Sequence, residues 1–331
     1  MRAVIAARPG GPEVLTVVDW PVPVPAPGEV LVRVAAAGVN RADAVQRAGQ
    51  YPPPPGASDI LGLECAGEIV ELGEGVHDRR VGERVCALLS AGGYAEYVTV
   101  PAGQVAPVPD GLSLVDAASV LEAAATVWSN VFWIGGLDRG DTFLVHGGSS
   151  GIGTMAIQLA AAAGARVVTT AGSDQKLDVC RALGADLAIN YRAADFVVEM
   201  ASRGIKADVI LDMIGAPYLA RNVEVLGADG RLVVIGLQGG ATAELNLGEL
   251  IVRRASVMAT SLRGRPPEEK AMIVGKTVEH VWPLLARGVI RPVIHETFDL
   301  QDAAQAHEVM ERSDHIGKLV LTVTHSPQGA P

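Results

Sequence analysis

Cysteine is scarce in this chain: three in 331 residues, Cys65, Cys86 and Cys180, odd in number and far apart. With no CxxC pair, neither a disulfide framework nor a zinc ribbon is indicated, and a reducing compartment is the simpler expectation. Each thiol reads as a small buried hydrophobe. Clustered basic charge is also missing. Lys and Arg total 27 against 37 Asp and Glu, a formal net charge of −10, and the basic runs do not exceed the pairs Arg79-Arg80 and Arg253-Arg254. A nucleic-acid surface needs grouped cations to neutralise phosphates, so none is expected. Long apolar runs are lacking too. Met155 to Ala165 is the most apolar stretch, but Gln158 and Gly164 interrupt it, and it falls short of the roughly 20 residues of a membrane span. The apolar run at the N-terminus is too short for a signal peptide, which makes the cytoplasm the expected location. What the chain does have is length and hydrophobic content, 49% of its residues, enough for two domains with a large core. No internal repeat is visible.

The first 120 residues read as a β-rich module. Short alternating runs at Arg2 to Ala6, Leu15 to Trp20, Val30 to Ala36, Cys65 to Leu72, Arg84 to Leu89 and Ala95 to Val100 are separated by Pro and Gly turns, as in a barrel or sandwich. Tyr51 to Gly56, with four prolines, must be a stiff extended loop. From Ser113 the character changes. An Ala-rich helix over Leu114 to Val131 leads into strand–helix alternation. Strands are expected at Thr142 to His146, Arg166 to Thr170, Leu187 to Ile189, Val209 to Leu211, Leu232 to Ile235 and Ser256 to Ala259, with helices between them. Six apolar strands so linked describe a doubly wound parallel sheet, an α/β fold. Beyond Thr260 a helix at Glu268 to Arg287, a strand at Val293 to Phe298, a helix at Leu300 to Glu311 and a strand at Lys318 to Val323 form a tail that should return to the first domain. His325 to Pro331 reads as a disordered end.

His146-Gly147-Gly148-Ser149-Ser150-Gly151-Ile152-Gly153 is the strongest motif, placed directly between an apolar strand and a helix. Glycines there allow a tight turn and close approach to a pyrophosphate, which meets the N–H groups of the helix start. Gly148, Ser149, Ser150, Gly151, Ile152 and Gly153 are the expected phosphate contacts. The second strand ends Thr170-Ala171-Gly172-Ser173 with no carboxylate at its tip, where NAD-specific folds hold a ribose hydroxyl. Gly172, Ser173, Lys176 and Tyr191 are placed to take a 2′-phosphate, so NADPH is favoured over NAD, with Lys176 as a plain surface charge the alternative. Asp174 is assigned to the helix cap. Short-chain dehydrogenases share this glycine string but need a Tyr-x-x-x-Lys pair, and no tyrosine here has Lys four residues on.

The chain resembles the medium-chain dehydrogenase/reductase superfamily, and within it the zinc-free quinone oxidoreductases related to zeta-crystallin. The likeness runs through Gly10 to Glu13, Gly38-Val39-Asn40-Arg41-Ala42-Asp43, Gly62-Leu63-Glu64, Gly93 to Val98, Gly140-Asp141, the phosphate loop and Ile316 to Val320. The segment Asn40 to Gly56 is similar to the stress-inducible NADPH quinone reductase branch. The resemblance implies a mainly β GroES-like catalytic domain (1–122 and 263–331) and a Rossmann NADP-binding domain (123–262). Zinc-dependent relatives carry ligands where this chain has Asn40, Leu63 and a residue near Glu122, so no metal is expected. Without a Lewis acid, the implied substrate is a quinone or enone, already electrophilic.

By the same resemblance Asn40 and Thr126 lie near the nicotinamide. Asn40 offers its amide to a substrate oxygen or makes an Asx turn before Asp43; Thr126 faces the nicotinamide or bonds its own helix backbone. Tyr51 stacks on a planar substrate or packs on its prolines. Gly236, Leu237, Ser261 and Leu262 follow the fifth and sixth strands, where backbone groups would fix the carboxamide. Lys318 reaches the cofactor phosphate or forms a surface salt bridge, and Arg41 pairs with Asp43. The sixth strand, at a sheet edge, implies a homodimer. Three activities remain open: quinone reductase, enone or enoyl-thioester reductase, and an NADPH-binding structural or RNA-binding protein with little turnover.

Overall fold

A computed structural model describes residues 1–325. They form two compact units: Met1–Ala125, Leu262–Gly288 and the chain from Pro292 make one, Thr126–Ser261 with Val289–Arg291 the other.

In the first unit the 11-residue strand Glu29–Val39 is the spine, buried along almost its whole length. It pairs antiparallel with Glu64–Leu72, Tyr97–Pro101 and Lys318–Thr322. Arg84–Leu88 and Val105–Pro107 extend the sheet on one side, and Ile294–Asp299, parallel to Lys318–Thr322, on the other. Arg2–Ala6 and Leu15–Asp19 form a separate hairpin. Val30, Val32, Val34, Leu61, Ile69, Tyr94, Leu319 and Leu321 fill the core. Sequence reading misses the helix Arg41–Arg47 and the short strand Val105–Pro107 among other short elements. His325, assigned above to a disordered end, is anchored: its ring nitrogen Nε2 lies 2.8 Å from the Val34 carbonyl. The rest of that expected end, residues 326–331, lies outside the described residues.

The second unit is an all-parallel sheet of six strands. Its spatial order is Leu187–Asn190, Arg166–Ala171, Thr142–His146, Ala207–Asp212, Leu226–Val234 and Ser256–Ala259. The fold class read from the sequence therefore holds. The order reverses between Thr142–His146 and Ala207–Asp212, and such sheets bind ligands at the carboxyl ends beside that reversal. Leu144, Val168, Ile210 and Leu232 form the middle of the core, with Phe196 and Met200 packed on them.

The continuous helix expected over Leu114 to Val131 is broken into Leu114–Ala117, Leu121–Val127 and a wide π-helical stretch, Trp128–Ile134. The Asn130 side-chain Nδ2 donates to the Thr126 carbonyl at 2.8 Å, diverting an acceptor from the regular ladder. By length and composition the stretch Leu114–Ile134 passes the test for a membrane span, contrary to the expectation that no segment does. Most of it is buried inside the protein, where a core helix has the same composition.

Candidate functional site

The glycine loop follows a strand whose Phe143, Leu144 and Val145 are fully buried. Gly147 takes a left-handed φ of +68°. A Cβ on Gly148 would lie 2.0 Å from Thr169 Oγ1, and one on Gly153 would lie 2.3 Å from the Gly147 carbonyl oxygen. Only glycine fits at either place. The turn is pinned by the Gly148 N–H on the Thr170 carbonyl at 2.9 Å. Ser150 caps the helix Gly151–Ala163, its Oγ accepting the Gly153 N–H at 3.0 Å. The Thr154 N–H goes to the Ser150 carbonyl. Among the described residues no acceptor takes the amides of Ser149, Gly151 or Ile152. Three open donors at the positive end of a 13-residue helix make an anion cradle.

Beneath the loop lies a buried polar chain that sequence reasoning missed. His146 Nε2 is 2.7 Å from Asn222 Oδ1, and His146 Nδ1 is 3.0 Å from Thr170 Oγ1. Asn222 Nδ2 donates to Asp212 at 3.1 Å, and Asp212 also accepts the Ile214 and Gly215 amides. Because Asn222 presents its oxygen, His146 carries its proton on Nε2 and accepts the Thr170 hydroxyl. Burial lowers His146 to about 4 and raises Asp212 to about 6. The chain ties together the ends of three neighbouring strands. Its one sequence signal was a histidine closing the strand before the loop.

At the second strand's tip the structure brings Gly172, Ser173, Lys176 and Tyr191 together. The Tyr191 phenol oxygen sits 2.7 Å from where a Gly172 Cβ would be, so glycine admits it. Arg192, not singled out from the sequence, approaches the same point at 3.2 Å. Ser173, not Asp174, caps the next helix: its Oγ accepts the Lys176 N–H at 3.4 Å. Asp174 is the first helical residue and accepts from Asn190 Nδ2 at 3.3 Å.

Gly236 and Leu237 follow the fifth strand, where the Gln238 N–H reaches the Met213 carbonyl at 3.3 Å; Leu237 is exposed. Ser261 closes the parallel-sheet unit, while Leu262 falls in the β-rich one. Thr126 is buried, its carbonyl held by Asn130 and Ser129.

In the β-rich unit Asn40 ends the long strand and caps the helix Arg41–Arg47. Its amide is spent internally. Oδ1 accepts from Lys318 Nζ at 2.6 Å, and Nδ2 donates to Glu64 Oε1 at 3.1 Å. Lys318 Nζ also contacts Glu64 Oε1 at 2.5 Å, and Glu64 Oε2 takes the Glu122 N–H at 3.0 Å. Lys318 is thus neither a surface charge nor free to reach a phosphate: a buried carboxylate and amide hold it. Asn40 and Asp43 form a reciprocal capping box: Asp43 accepts the Asn40 backbone N–H at 2.8 Å, and the Asn40 side chain faces the Asp43 N–H.

The expected Arg41–Asp43 pair is absent. Arg41 donates to the Met310 carbonyl and Ser313 Oγ, while Asp43 is fully buried and takes the Tyr94 hydroxyl at 3.0 Å. Burial raises Asp43 to about 6. His307, whose ring nitrogens face Tyr94 and Arg47, is lowered to about 3 by burial and then by Arg47 and Arg41. Tyr51 carries the Arg263 guanidinium over its ring at 5.0 Å, a partner that neither reading of Tyr51 foresaw. Among the described residues no three His, Cys, Asp or Glu side chains converge as a metal site.

Comparison with known proteins agrees with this architecture. Residues 26–110 match the alcohol dehydrogenase GroES-like domain and residues 151–274 the zinc-binding dehydrogenase family. A quinone oxidoreductase of Rattus norvegicus is 32% identical over 97% of both chains. Among solved structures, an NAD-dependent alcohol dehydrogenase matches with a TM-score of 0.85 at 32% identity, over 98% of this chain and 100% of that one. The Escherichia coli quinone oxidoreductase complexed with NADPH matches at 0.86 and 30%, over 97% and 99%. The apo JamJ enoyl reductase matches at 0.88 and 25%, over 98% and 99%. The chain belongs to the medium-chain dehydrogenase/reductase superfamily, and quinone oxidoreductases are among its full-length relatives.

Proposed function

We propose that this protein is an NADPH:quinone reductase that works without zinc. The observation that carries the reading is the cradle at Gly147 to Gly153, whose open amides and Cβ-free approach suit a pyrophosphate. Gly148, Ser149, Ser150, Gly151, Ile152 and Gly153 would hold that group. Gly172, Ser173, Lys176, Tyr191 and Arg192 would take the ribose phosphate, and Gly236, Leu237, Ser261 and Leu262 the nicotinamide end. NADPH, when bound, supplies the reducing equivalents.

The residues proposed to line the reaction site, Asn40, Tyr51 and Thr126, act by shape and position. Glu64 and Lys318 fix the Asn40 amide, so Asn40 forms a rigid wall. None of the three is a general acid, and the protons of a quinol would come from water. The donors at the positions where relatives hold zinc are an engaged amide at Asn40, the alkyl chain of Leu63 and a single carboxylate at Glu122, which do not make a tetrahedral set. A site without a Lewis acid suits an acceptor that is already electron-poor.

Steady-state oxidation of NADPH and NADH, tested with ortho- and para-quinones after dialysis against chelator, checks the proposal. NADPH should be preferred roughly tenfold or more, about 1.4 kcal/mol, with turnover undiminished by the chelator. A requirement for zinc, or no affinity for NADPH, would sink it. The likeness to an enoyl reductase favours a second reading, reduction of an enone or enoyl thioester. Faster turnover of crotonyl thioester than of any quinone would select it.

The same chain is proposed to form a homodimer through Ser256–Ala259, a strand paired on one side only. Leu247, Ile251 and Val252, at 65%, 76% and 79% exposure, add an uncovered apolar face nearby in the chain. A monomeric mass by light scattering at micromolar concentration would refute this.

A further inference from the structure

Two cations of the β-rich unit are buried without a carboxylate. Arg263 and Lys270 are 6% and 4% exposed. Arg263 donates from Nε to the Ser90 carbonyl at 2.7 Å, from Nη1 to the Tyr51 carbonyl at 3.2 Å and from Nη2 to Gln46 Oε1 at 2.6 Å. Lys270 Nζ donates to Ser90 Oγ at 2.5 Å. Every one of these acceptors is neutral, and among the described residues no carboxylate oxygen lies within 4.0 Å of either cation. Glu269, next to Lys270 in the chain, is bonded to Arg265. Asp43 attracts Arg263 only from a distance.

A buried charge without a counter-charge is unfavourable and is relieved by an ion of opposite sign. Here two like charges converge on Ser90, and burial, then Arg263, lowers the Lys270 pKa. Both side chains line a cavity of about 430 Å³, within the size range of small-molecule sites. Its wall includes Pro267, the first residue of the 20-residue helix Pro267–Ala286, whose N-terminal end adds partial positive charge. Leu89, Ala91 and Val100 supply apolar wall. Glu29 is the acid on the cavity wall, and its carboxylate accepts the Ala26 N–H at 3.0 Å.

We propose that this cavity is an anion site, in which Arg263, Lys270 and the helix end at Pro267 hold the phosphate or carboxylate head of a small organic anion. The apolar part of that ligand lies along Leu89, Ala91 and Val100. The inference does not rest on the reductase reading, because its test measures binding and not turnover.

Calorimetric titration of the full chain with inorganic phosphate, octanoate and octanol at low ionic strength is the test. At least one anion should bind in the millimolar range or tighter, and octanol should bind roughly tenfold more weakly than octanoate if the head is a carboxylate. Tighter binding of phosphate than of octanoate assigns the head to a phosphate. Lys270→Met should weaken the anion roughly tenfold, with Lys270→Arg staying within about threefold of the parent. Failure of the unaltered protein to bind either anion at about 10 mM, weaker than any specific site of this kind, overturns the proposal. So does binding that Lys270→Met leaves unchanged. Because the glycine loop is itself an anion cradle, the titrations are run with NADPH at saturation, and failure of the unaltered protein to bind overturns the proposal even if a variant does not fold.

Discussion

Replacing Lys318 by Met probes the buried join between three distant segments of the β-rich unit. Lys318 and Glu64 side chains are 6% and 1% exposed, and the ammonium serves both Glu64 and Asn40. Removing one partner of a buried pair costs roughly 3–5 kcal/mol, because the other charge is left uncompensated. Glu64 would keep the Asn40 amide and the Glu122 N–H, which puts the loss near the lower end, about 3 kcal/mol. At roughly 2–4 °C per kcal/mol for a unit of this size, Tm should fall by roughly 6–12 °C. A chain of two units need not unfold in one step, so the transition must be followed locally. Replacing Trp128 and Trp133 by Phe leaves Trp20 and Trp282 to report on the β-rich unit by fluorescence in urea. Adding Glu64→Gln to Lys318→Met removes the orphaned charge and should recover more than about 1 kcal/mol. A single variant within about 0.5 kcal/mol of the parent, or two substitutions whose effects simply add, would show that the pair is not coupled as its geometry implies.

Gly153→Ala places a methyl 2.3 Å from the Gly147 carbonyl oxygen, so NADPH affinity should drop roughly a hundredfold, about 2.7 kcal/mol, in a fluorescence titration; unchanged affinity would mean that the loop does not hold the cofactor. Lys176→Glu should lower kcat/KM with NADPH roughly tenfold or more and leave NADH unaffected, and an equal fall with both cofactors would remove Lys176 from the phosphate site. In pH-dependent urea unfolding, Asp212→Asn should unmask His146. His146, lowered to about 4, loses stability as pH falls from its unfolded value of 6.5; Asp212, raised to about 6, gains stability as pH falls from about 6 towards 3.8. The variant should therefore show a slope steeper than the parent by about 1.4 kcal/mol per pH unit between pH 4 and 6, and parallel curves would contradict the opposing shifts.

The parallel sheet was legible because strands buried on both faces read as unbroken apolar runs, such as Phe143-Leu144-Val145 and Val209-Ile210-Leu211. The pattern weakened where pairing outlasts burial. Leu226–Val234 begins six residues before the expected Leu232, and its early part carries exposed Ala228 and Asp229. Helix Arg41–Arg47 was hidden for a related reason. Asp43, Ala44 and Arg47 are its buried residues, so two of its three inward side chains are charged and no apolar stripe marks it.

The glycine loop could be read because strand, glycines and helix follow one another in the chain, although Thr169 and Thr170 of the next strand complete the contacts that exclude a Cβ. The rest of the polar interior is set by pairings across the chain. Lys318 meets Glu64 across 254 residues, and Tyr94 meets His307 across 213. No spacing rule links such positions. Lys318 meets Glu64 through the register of Lys318–Thr322 against Glu29–Val39 and of that strand against Glu64–Leu72. A charged residue seen alone in a sequence is therefore best read as a surface group, the ordinary case. Its function changes only when packing withholds solvent and decides whether a counter-charge is present. Lys318 has one and becomes a strut; Arg263 and Lys270 have none, and the same burial makes them a receptor for charge from outside the chain.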